Sequence, residues 1–192
     1  MNKSQINKLT ILTENISRCN KCERLRKNGM AIPFWTKNSR YLILAEAPGG
    51  EEVLEHLQTP LVGEAGVLCW KILKSYKLYR EDFVILNSIQ CRPVENGRNG
   101  KPRTVEIDTC KFWTDKYIKI SQPKAILAFG NYAMYYLFNE ISGIKRSNGN
   151  IRYYHKIPVI PCLHPASLLY DRENKLKFKI AIKKFKGVIQ NV

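Results

Sequence analysis

Four cysteines have the residue type and spacing of metal ligands. Cys19 and Cys22 form a C-x-x-C pair near the start of the chain, and Cys91 and Cys110 lie well inside it. The close pair can bind one metal centre directly, whereas the fold has to bring the distant pair to it. Four thiolates suit a [4Fe-4S] cluster, and they also permit a zinc site without the regular spacing of a zinc ribbon. Buried, unliganded thiols at Cys91 and Cys110 are the structural alternative.

Three polar segments follow short apolar runs and could form a second site. Glu46 begins an E-A-P-G segment, Asn87 follows the next run, and His164 begins an H-P-A segment. In open α/β sheets, ligands bind beyond the carboxyl ends of the strands. A tight Gly-Pro turn lets backbone N–H groups approach a ligand, and an Asn amide can pair with the edge of a base. Each segment taken alone also fits an ordinary turn.

The apolar runs predict the elements that position these residues. Each is short and apolar on both faces, which is typical of buried parallel strands; they span 41–45, 83–86, 125–129 and 158–160. Helical spacing of apolar residues lies between and around them, at 6–16, 66–78, 104–120, 131–138 and 175–188. Thr104 is the expected cap of the third of these helices. The alternation predicts a three-layer α/β fold with a short, mainly parallel sheet, in one domain spanning 1–192.

Two further segments have turn chemistry. Residues 95–102 predict a loop, and residues 147–150 predict a hairpin or a loop tip.

The charge of the chain favours a polyanionic partner. Lys and Arg number 32 against 16 Asp and Glu, which gives a formal net charge of +16. Such a field attracts nucleic acid, although a generically basic protein would share it.

No run of residues is long and apolar enough to span a membrane, and no signal peptide is evident, so we expect the cytosol or the nucleoid. In these compartments we expect cysteines to be metal ligands or buried thiols and not disulfides. We expect Cys69 and Cys162 to be buried thiols.

The order of the motifs resembles that of the family 4 uracil-DNA glycosylases, which carry an iron–sulfur cluster. The resemblance covers 19–169. It consists of C-x-x-C, E-A-P-G, P-x-V-G-x-A-G at 60–66, N-x-x-x-C-R-P at 87–93, a further Cys, and H-P-A-x-L-L at 164–169. It implies hydrolysis of the bond between uracil and deoxyribose, which leaves an abasic site in DNA. The expected protein is a monomer that acts on single- or double-stranded uracil-containing DNA.

The resemblance also implies residue roles. A [4Fe-4S] cluster would be held by Cys19, Cys22, Cys91 and Cys110. Glu46 or Glu52 would position the attacking water, and Glu46 is the favoured of the two. His164 would donate to uracil O2, while Asn87 would pair with N3–H and O4. The remaining pocket residues would be Ala47, Gly49, Glu52 and Leu61. Leu168 and Leu169 would fill the gap that the flipped base leaves in the stack.

Two departures from the family pattern leave other functions open. Ala45 stands where the family commonly has Gly, and Leu61 stands where a Phe would stack on uracil. Tyr41 or Trp70 could replace that ring if the fold brings either close. A redirected or weakly catalytic member that binds uracil or another damaged base is therefore one alternative. A zinc-stabilised nucleic-acid-binding module is the other.

Overall fold

A five-stranded sheet forms the centre of the computed structural model, which describes residues 1–191. Its strands, in spatial order, are β2 (Phe83–Asn87), β1 (Tyr41–Ala45), β5 (Ile126–Phe129), β7 (Ile157–Cys162) and β6 (Arg152–Tyr154). The first four are parallel, and β6 is antiparallel to β7. A separate two-stranded hairpin consists of β3 (Val94–Glu95) and β4 (Arg98–Asn99). The mainly parallel sheet was predicted, whereas β6 was missed because it is short and partly exposed.

Helices cover both faces of the sheet and complete the predicted three layers. They are α1 (Lys3–Ser17), α2 (Glu23–Arg26), α3 (Glu64–Ser75), α4 (Thr104–Ser121), α5 (Gly130–Phe138), α6 (Ile144–Ser147) and α7 (Arg172–Ile189). Alternate residues of β1 divide between two cores. Leu42 and Leu44 pack with residues of α1, α4 and α5, whereas Ile43 packs with residues of α3 and α7. Each such fully buried side chain contributes about 1.5–3 kcal/mol.

The strand register aligns the carboxyl ends where the polar segments begin. Ala45 pairs with Asn87 in the neighbouring strand, and Phe129 pairs with Cys162. Glu46 directly follows β1, and His164 lies two residues beyond β7. The sheet therefore places the three polar segments at one edge, as the sequence predicts.

Local chemistry differs from the sequence-based prediction at two points and decides between two alternatives at a third. Thr104 is the first residue of α4, and the cap is Arg103, whose N–H donates to Glu106 Oε2 at 2.8 Å. The predicted loop at 95–102 contains the β3–β4 hairpin. Its turn residues, Asn96 and Gly97, have φ of 50° and 74°, and this left-handed pair is typical of a tight hairpin. The 147–150 segment is the end of α6 followed by a turn, which fits the predicted loop tip and not the alternative hairpin.

No helix within residues 1–191 is long and apolar enough to cross a membrane.

Candidate active site and candidate metal centre

One pocket at the carboxyl edge of the sheet gathers most of the predicted site residues. The loop after β1, the start of α3, the end of β2 and the segment after β7 form its walls. Of the predicted catalytic, substrate-binding and wedge residues, eight line it: Glu46, Ala47, Gly49, Glu52, Leu61, Asn87, His164 and Leu169. These residues span 124 positions of the chain, so the fold creates their proximity.

Glu46 is the carboxyl group whose charge is most strongly affected by the pocket. Burial raises its pKa to about 7, and the positive charge of Lys101 acts in the opposite direction. A carboxyl with a pKa near neutrality exchanges protons readily under physiological conditions. Glu46 can therefore act as a general base at this position.

Gly130 allows Glu46 and His164 to lie close together. It begins α5 with φ of 82°, a conformation that favours glycine. A Cβ added there would lie 3.2 Å from His164 Cβ and 3.5 Å from Glu46 Oε2. No motif of the sequence marks Gly130, which directly follows the apolar run at 125–129. Its position directly after a buried strand, in a sheet whose other strands end in polar residues, was the sequence signal that could have placed Gly130 in the site.

Asn87 presents a buried hydrogen-bond donor without a partner. Its side chain is 1% exposed, and Nδ2 has no hydrogen-bond partner among the described residues. The backbone is fixed because Gln90 Nε2 donates to Asn87 O at 2.6 Å. A buried polar group left unpaired costs about 1–3 kcal/mol, so a ligand acceptor in the pocket would relieve this cost.

His164 is a neutral imidazole with one defined donor. The Ala166 N–H donates to His164 Nδ1 at 3.3 Å, so Nδ1 is an acceptor and Nε2 carries the hydrogen. Burial lowers the pKa of His164 to about 4, which keeps the ring uncharged at neutral pH. In the adjacent 3-10 turn, Pro165–Leu168, Ser167 Oγ donates to the backbone carbonyl of His164 at 2.8 Å, which fixes the backbone at this residue. The Nε2–H group is available to an acceptor in the pocket.

Glu52 ties two walls of the pocket together. Its carboxylate accepts from Gly49 N at 2.9 Å and from Leu61 N at 2.5 Å. Burial raises its pKa, and these backbone N–H groups oppose that shift. Both oxygens of Glu52 are thus engaged in holding the backbone, whereas within residues 1–191 no backbone N–H donates to the Glu46 carboxylate.

Leu61 is fixed by its backbone and faces the pocket. It has φ of 57° and is 4% exposed, and Trp70 Nε1 donates to its carbonyl at 2.9 Å. Arg80, which the sequence analysis missed, donates to Pro60 O at 2.8 Å and stacks on the ring of Phe34. A half-buried Arg that donates to the carbonyl groups of a turn has no sequence signature, so only the fold identifies it.

The rings expected to replace the missing Phe do not reach the pocket. Tyr41 packs against Phe83 and Phe185 in the core, with ring centroids 5.8 and 5.7 Å away. Trp70 packs 6.2 Å from Phe83 and does not line the pocket. The suggestion that either ring stacks on a base in the pocket is therefore wrong.

The two leucines of the H-P-A-x-L-L segment have different environments. Leu168 is 5% exposed and packs in the core beside α3 and α7, so it does not fit the predicted wedge role. Leu169 lines the pocket, and Tyr170 after it lines the rim. The 3-10 turn directs the side chains of Leu168 and Leu169 to different environments. The sequence shows two adjacent leucines and does not indicate which of them is buried.

Comparison with known proteins decides the family. The model of the uracil DNA glycosylase superfamily matches residues 32–186, which is most of the chain. The chain belongs to the uracil-DNA glycosylase superfamily. Similar proteins include a Type-4 uracil-DNA glycosylase of Archaeoglobus fulgidus, 30% identical over 90% of this chain and 89% of the relative. Others are the Type-4 uracil-DNA glycosylases of Saccharolobus solfataricus, 31% identical over 85% of this chain and 78% of the relative, and Thermotoga maritima, 30% identical over 88% and 87%.

The four cysteines predicted as metal ligands line a second pocket of this uracil-DNA glycosylase superfamily member. Cys19, Cys22, Cys91 and Cys110 all line it, and the other lining residues are mostly apolar. Trp113 Nε1 donates to Cys19 Sγ at 3.1 Å. Within residues 1–191, no three His, Cys, Asp or Glu side chains are arranged around a single ion position. Four thiols around one pocket could hold either a [4Fe-4S] cluster or a zinc ion.

The surroundings of the thiols disfavour free, uncompensated thiolates. Burial raises the pKa of Cys91 and of Cys110 to about 12, so thiolates there need a compensating cation. A paired Arg24 and Glu106, with N–O distances of 2.6 and 2.8 Å, joins α2 to α4 beside the pocket. Cys69 and Cys162 lie elsewhere and are fully buried, as predicted.

Basic residues lie near the mouth of the active-site pocket. Asn99 and Gly100 line the pocket, and Arg98, Lys101 and Arg103 are exposed beside them. Arg92 Nε donates to Asn99 Oδ1 at 2.8 Å, which ties the hairpin to the C-R-P segment. These cations can contact phosphates of a strand that approaches the pocket.

Proposed function

We propose that this protein removes uracil from DNA by hydrolysing its N-glycosidic bond, which leaves an abasic site for base excision repair. The observation that carries the proposal is the buried, unpartnered Nδ2 of Asn87 in a pocket that also holds Glu46 and His164. The names of the similar Type-4 enzymes support the same substrate.

Asn87 would select uracil over cytosine. Its Nδ2 would donate to uracil O4, and its Oδ1 would accept from N3–H. Cytosine presents the opposite pattern at these two positions, so it would leave buried groups unpaired at about 1–3 kcal/mol each. Because these atoms are 1% exposed, a base inside a duplex cannot reach them and must be turned out first.

His164 would stabilise the departing base. As the bond to C1′ breaks, negative charge develops on uracil O2, and the Nε2–H group would donate to that oxygen. The ring is neutral before the reaction, so the interaction strengthens as the charge grows. One preorganised donor of this kind contributes about 3–4 kcal/mol to the transition state.

Glu46 would position the water that attacks the sugar. The water oxygen bonds to C1′, its proton passes to the carboxylate, and uracil leaves with the electrons of the broken bond. Glu46 is favoured over Glu52 because the oxygens of Glu52 already accept from Gly49 and Leu61. Ala47 and Gly49 would shape the backbone wall, although the Gly49 N–H is engaged by Glu52.

The four cysteines of the second pocket would hold a [4Fe-4S] cluster. The cluster would link the end of α1, the segment after β2 and α4, and so would stabilise the fold rather than take part in hydrolysis. The proposal also takes 1–192 as one glycosylase domain, acting as a monomer on uracil in single- or double-stranded DNA of the nucleoid.

A strand-cleavage assay tests the function. Purified protein is incubated with a labelled duplex containing one uracil, and alkali then cuts any abasic site. The controls are His164→Ala and Asn87→Asp, which keeps the size of the side chain but replaces the donor by an acceptor. We expect cleavage at the uracil by the wild type and strong loss in both variants. No cleavage by a wild type that contains iron and binds DNA would refute the proposal.

A redirected specificity is the second candidate, and Leu61 favours it. A branched aliphatic side chain lines the pocket where a flat ring would stack on uracil. Duplexes that carry hypoxanthine, xanthine or a thymine mispair, tested in the same assay, distinguish the two. Faster cleavage of one of these than of uracil would replace the first proposal by the second. Iron and sulfide analysis separates both from a zinc-stabilised binding module.

A further inference from the structure

We propose that the ring of Tyr170 stacks on a DNA base at the mouth of the active-site pocket, beside the nucleotide that has been turned out. The inference rests on the proposed function and adds a positioning residue to it. Tyr170 is 88% exposed, the largest value among the exposed large hydrophobic side chains of residues 1–191. It nevertheless lines the same pocket as Asn87 and His164.

The backbone on both sides of Tyr170 is anchored. Leu168 is buried in the core two residues before it. Asp171 follows it and caps α7, because its Oδ1 accepts from Glu173 N at 2.8 Å. Asn174 Nδ2 donates back to Ser167 O at 3.4 Å. The exposed ring therefore projects from a short bridge between the core and an 18-residue helix, and little backbone freedom is lost when a base contacts it.

The other aromatic ring at the pocket is the imidazole of His164, whose Nε2–H group is assigned to uracil O2. Tyr170 is the only Phe, Tyr or Trp among the residues that line the pocket in the described part of the chain. Leu168 cannot enter the base stack because its side chain is packed in the core. Aromatic stacking tolerates every base, since each has a π-face, and this suits an enzyme that must act in any sequence context.

The exposure of the ring indicates which base it contacts. A ring that formed part of the pocket floor would be buried, as Leu61 is. Tyr170 instead points into solvent at the rim, where the strand has to pass when one of its nucleotides occupies the pocket. The geometry therefore places the ring against a base that remains in the strand, not against the uracil.

The test measures binding to a duplex that cannot be cleaved. It carries a tetrahydrofuran abasic analogue with 2-aminopurine as the neighbouring base, which reports stacking by its fluorescence. We compare the wild type with Tyr170→Ala and Tyr170→Phe. Tyr153→Ala is the matched control, because Tyr153 is 66% exposed on β6 and does not line the pocket.

We expect Tyr170→Ala to weaken binding by roughly 5- to 150-fold, the range for loss of one base–aromatic stack. Its 2-aminopurine signal should lose the change that the wild type produces. Tyr170→Phe should bind like the wild type because the ring is retained, and Tyr153→Ala should also be unchanged. The slope of log affinity against log salt should stay constant, since no phosphate contact is removed.

Three results would overturn the inference. Unchanged binding by Tyr170→Ala would exclude stacking, equal losses in Tyr170→Phe would assign the effect to the hydroxyl, and a smaller salt slope would assign it to a phosphate. Because the analogue cannot be cleaved, these outcomes do not depend on excision. If the wild type excises uracil and Tyr170→Ala binds DNA as tightly as the wild type, this inference is refuted and the proposed function is not. If binding falls in Tyr170→Ala as expected but the wild type does not excise uracil, the proposed function is refuted and this inference is not.

Discussion

The Glu46→Gln substitution should stabilise the protein at neutral pH while it slows excision. Burial raises the pKa of Glu46 from 4.5 to about 7 in the folded state. Below pH 4.5 the carboxyl is protonated in both states, and its ionisation has no effect on stability. As the pH rises towards 7, the unfolded chain ionises first, so the folded protein loses stability relative to it. Above pH 7 the loss is complete.

The size of this loss follows from the difference between the two pKa values. A difference of about 2.5 units corresponds to roughly 3 kcal/mol at about 1.4 kcal/mol per unit. Gln is neutral at every pH and has nearly the same shape, so the variant avoids the loss. We therefore expect little difference in the free energy of unfolding at pH 4.5 and a gain of up to about 3 kcal/mol at pH 8. Excision should fall by roughly 10²–10⁴, the usual contribution of a general base.

Urea unfolding of the wild type and the variant at pH 4.5, 6 and 8 measures the effect. Glu14→Gln, on the exposed surface of α1, controls for the removal of one negative charge. The reasoning would be refuted if the difference in the free energy of unfolding between Glu46→Gln and the wild type did not change with pH. A variant that is less stable than the wild type at pH 8 would also refute it.

Four other substitutions test the remaining parts of the site. His164→Ala should lose most of its single-turnover rate, roughly 10²-fold or more, but retain affinity for uracil-containing DNA, because the donor acts on the transition state; an equal loss of binding would contradict this role. Leu61→Phe should lower KM by up to about tenfold through stacking, and an unchanged KM would show that the pocket needs no ring. Lys101→Met should move the acidic limb of the pH–rate profile upwards, because the cation opposes the raised pKa of Glu46; Lys101→Arg should leave it in place. Cys19→Ala should lower both the bound iron and the melting temperature, and full iron content at an unchanged melting temperature would exclude Cys19 as a ligand.

The sequence predicts the buried strands and most of the site because both depend on local patterns. The five residues of β1 are all buried, and their apolar character made the strand evident before its neighbours were known. The order of the polar segments then predicted a common edge, and the register of Ala45 with Asn87 confirms it.

The features that the sequence does not reveal arise from tertiary contacts. Leu168 and Leu169 are chemically identical, and only the 3-10 turn determines that one is buried and the other lines the pocket. Arg80 supports the Leu61 segment through carbonyl oxygens that any residues could supply. The β6 strand depends on its partner β7 and has no apolar run of its own.

The pocket of four cysteines has a consequence for how the chain resists degradation. Cys22 and Cys110 are 88 positions apart, so any bond between the elements that carry them closes a very long loop. In the unfolded ensemble, a crosslink over a loop of this length removes entropy worth roughly 4–5 kcal/mol in chain models. If the proposed cluster bridges these elements, its loss removes this contribution and lowers the free energy of unfolding of the whole domain. A chain without the proposed cluster would therefore open to proteases more often, although its active-site pocket is unchanged.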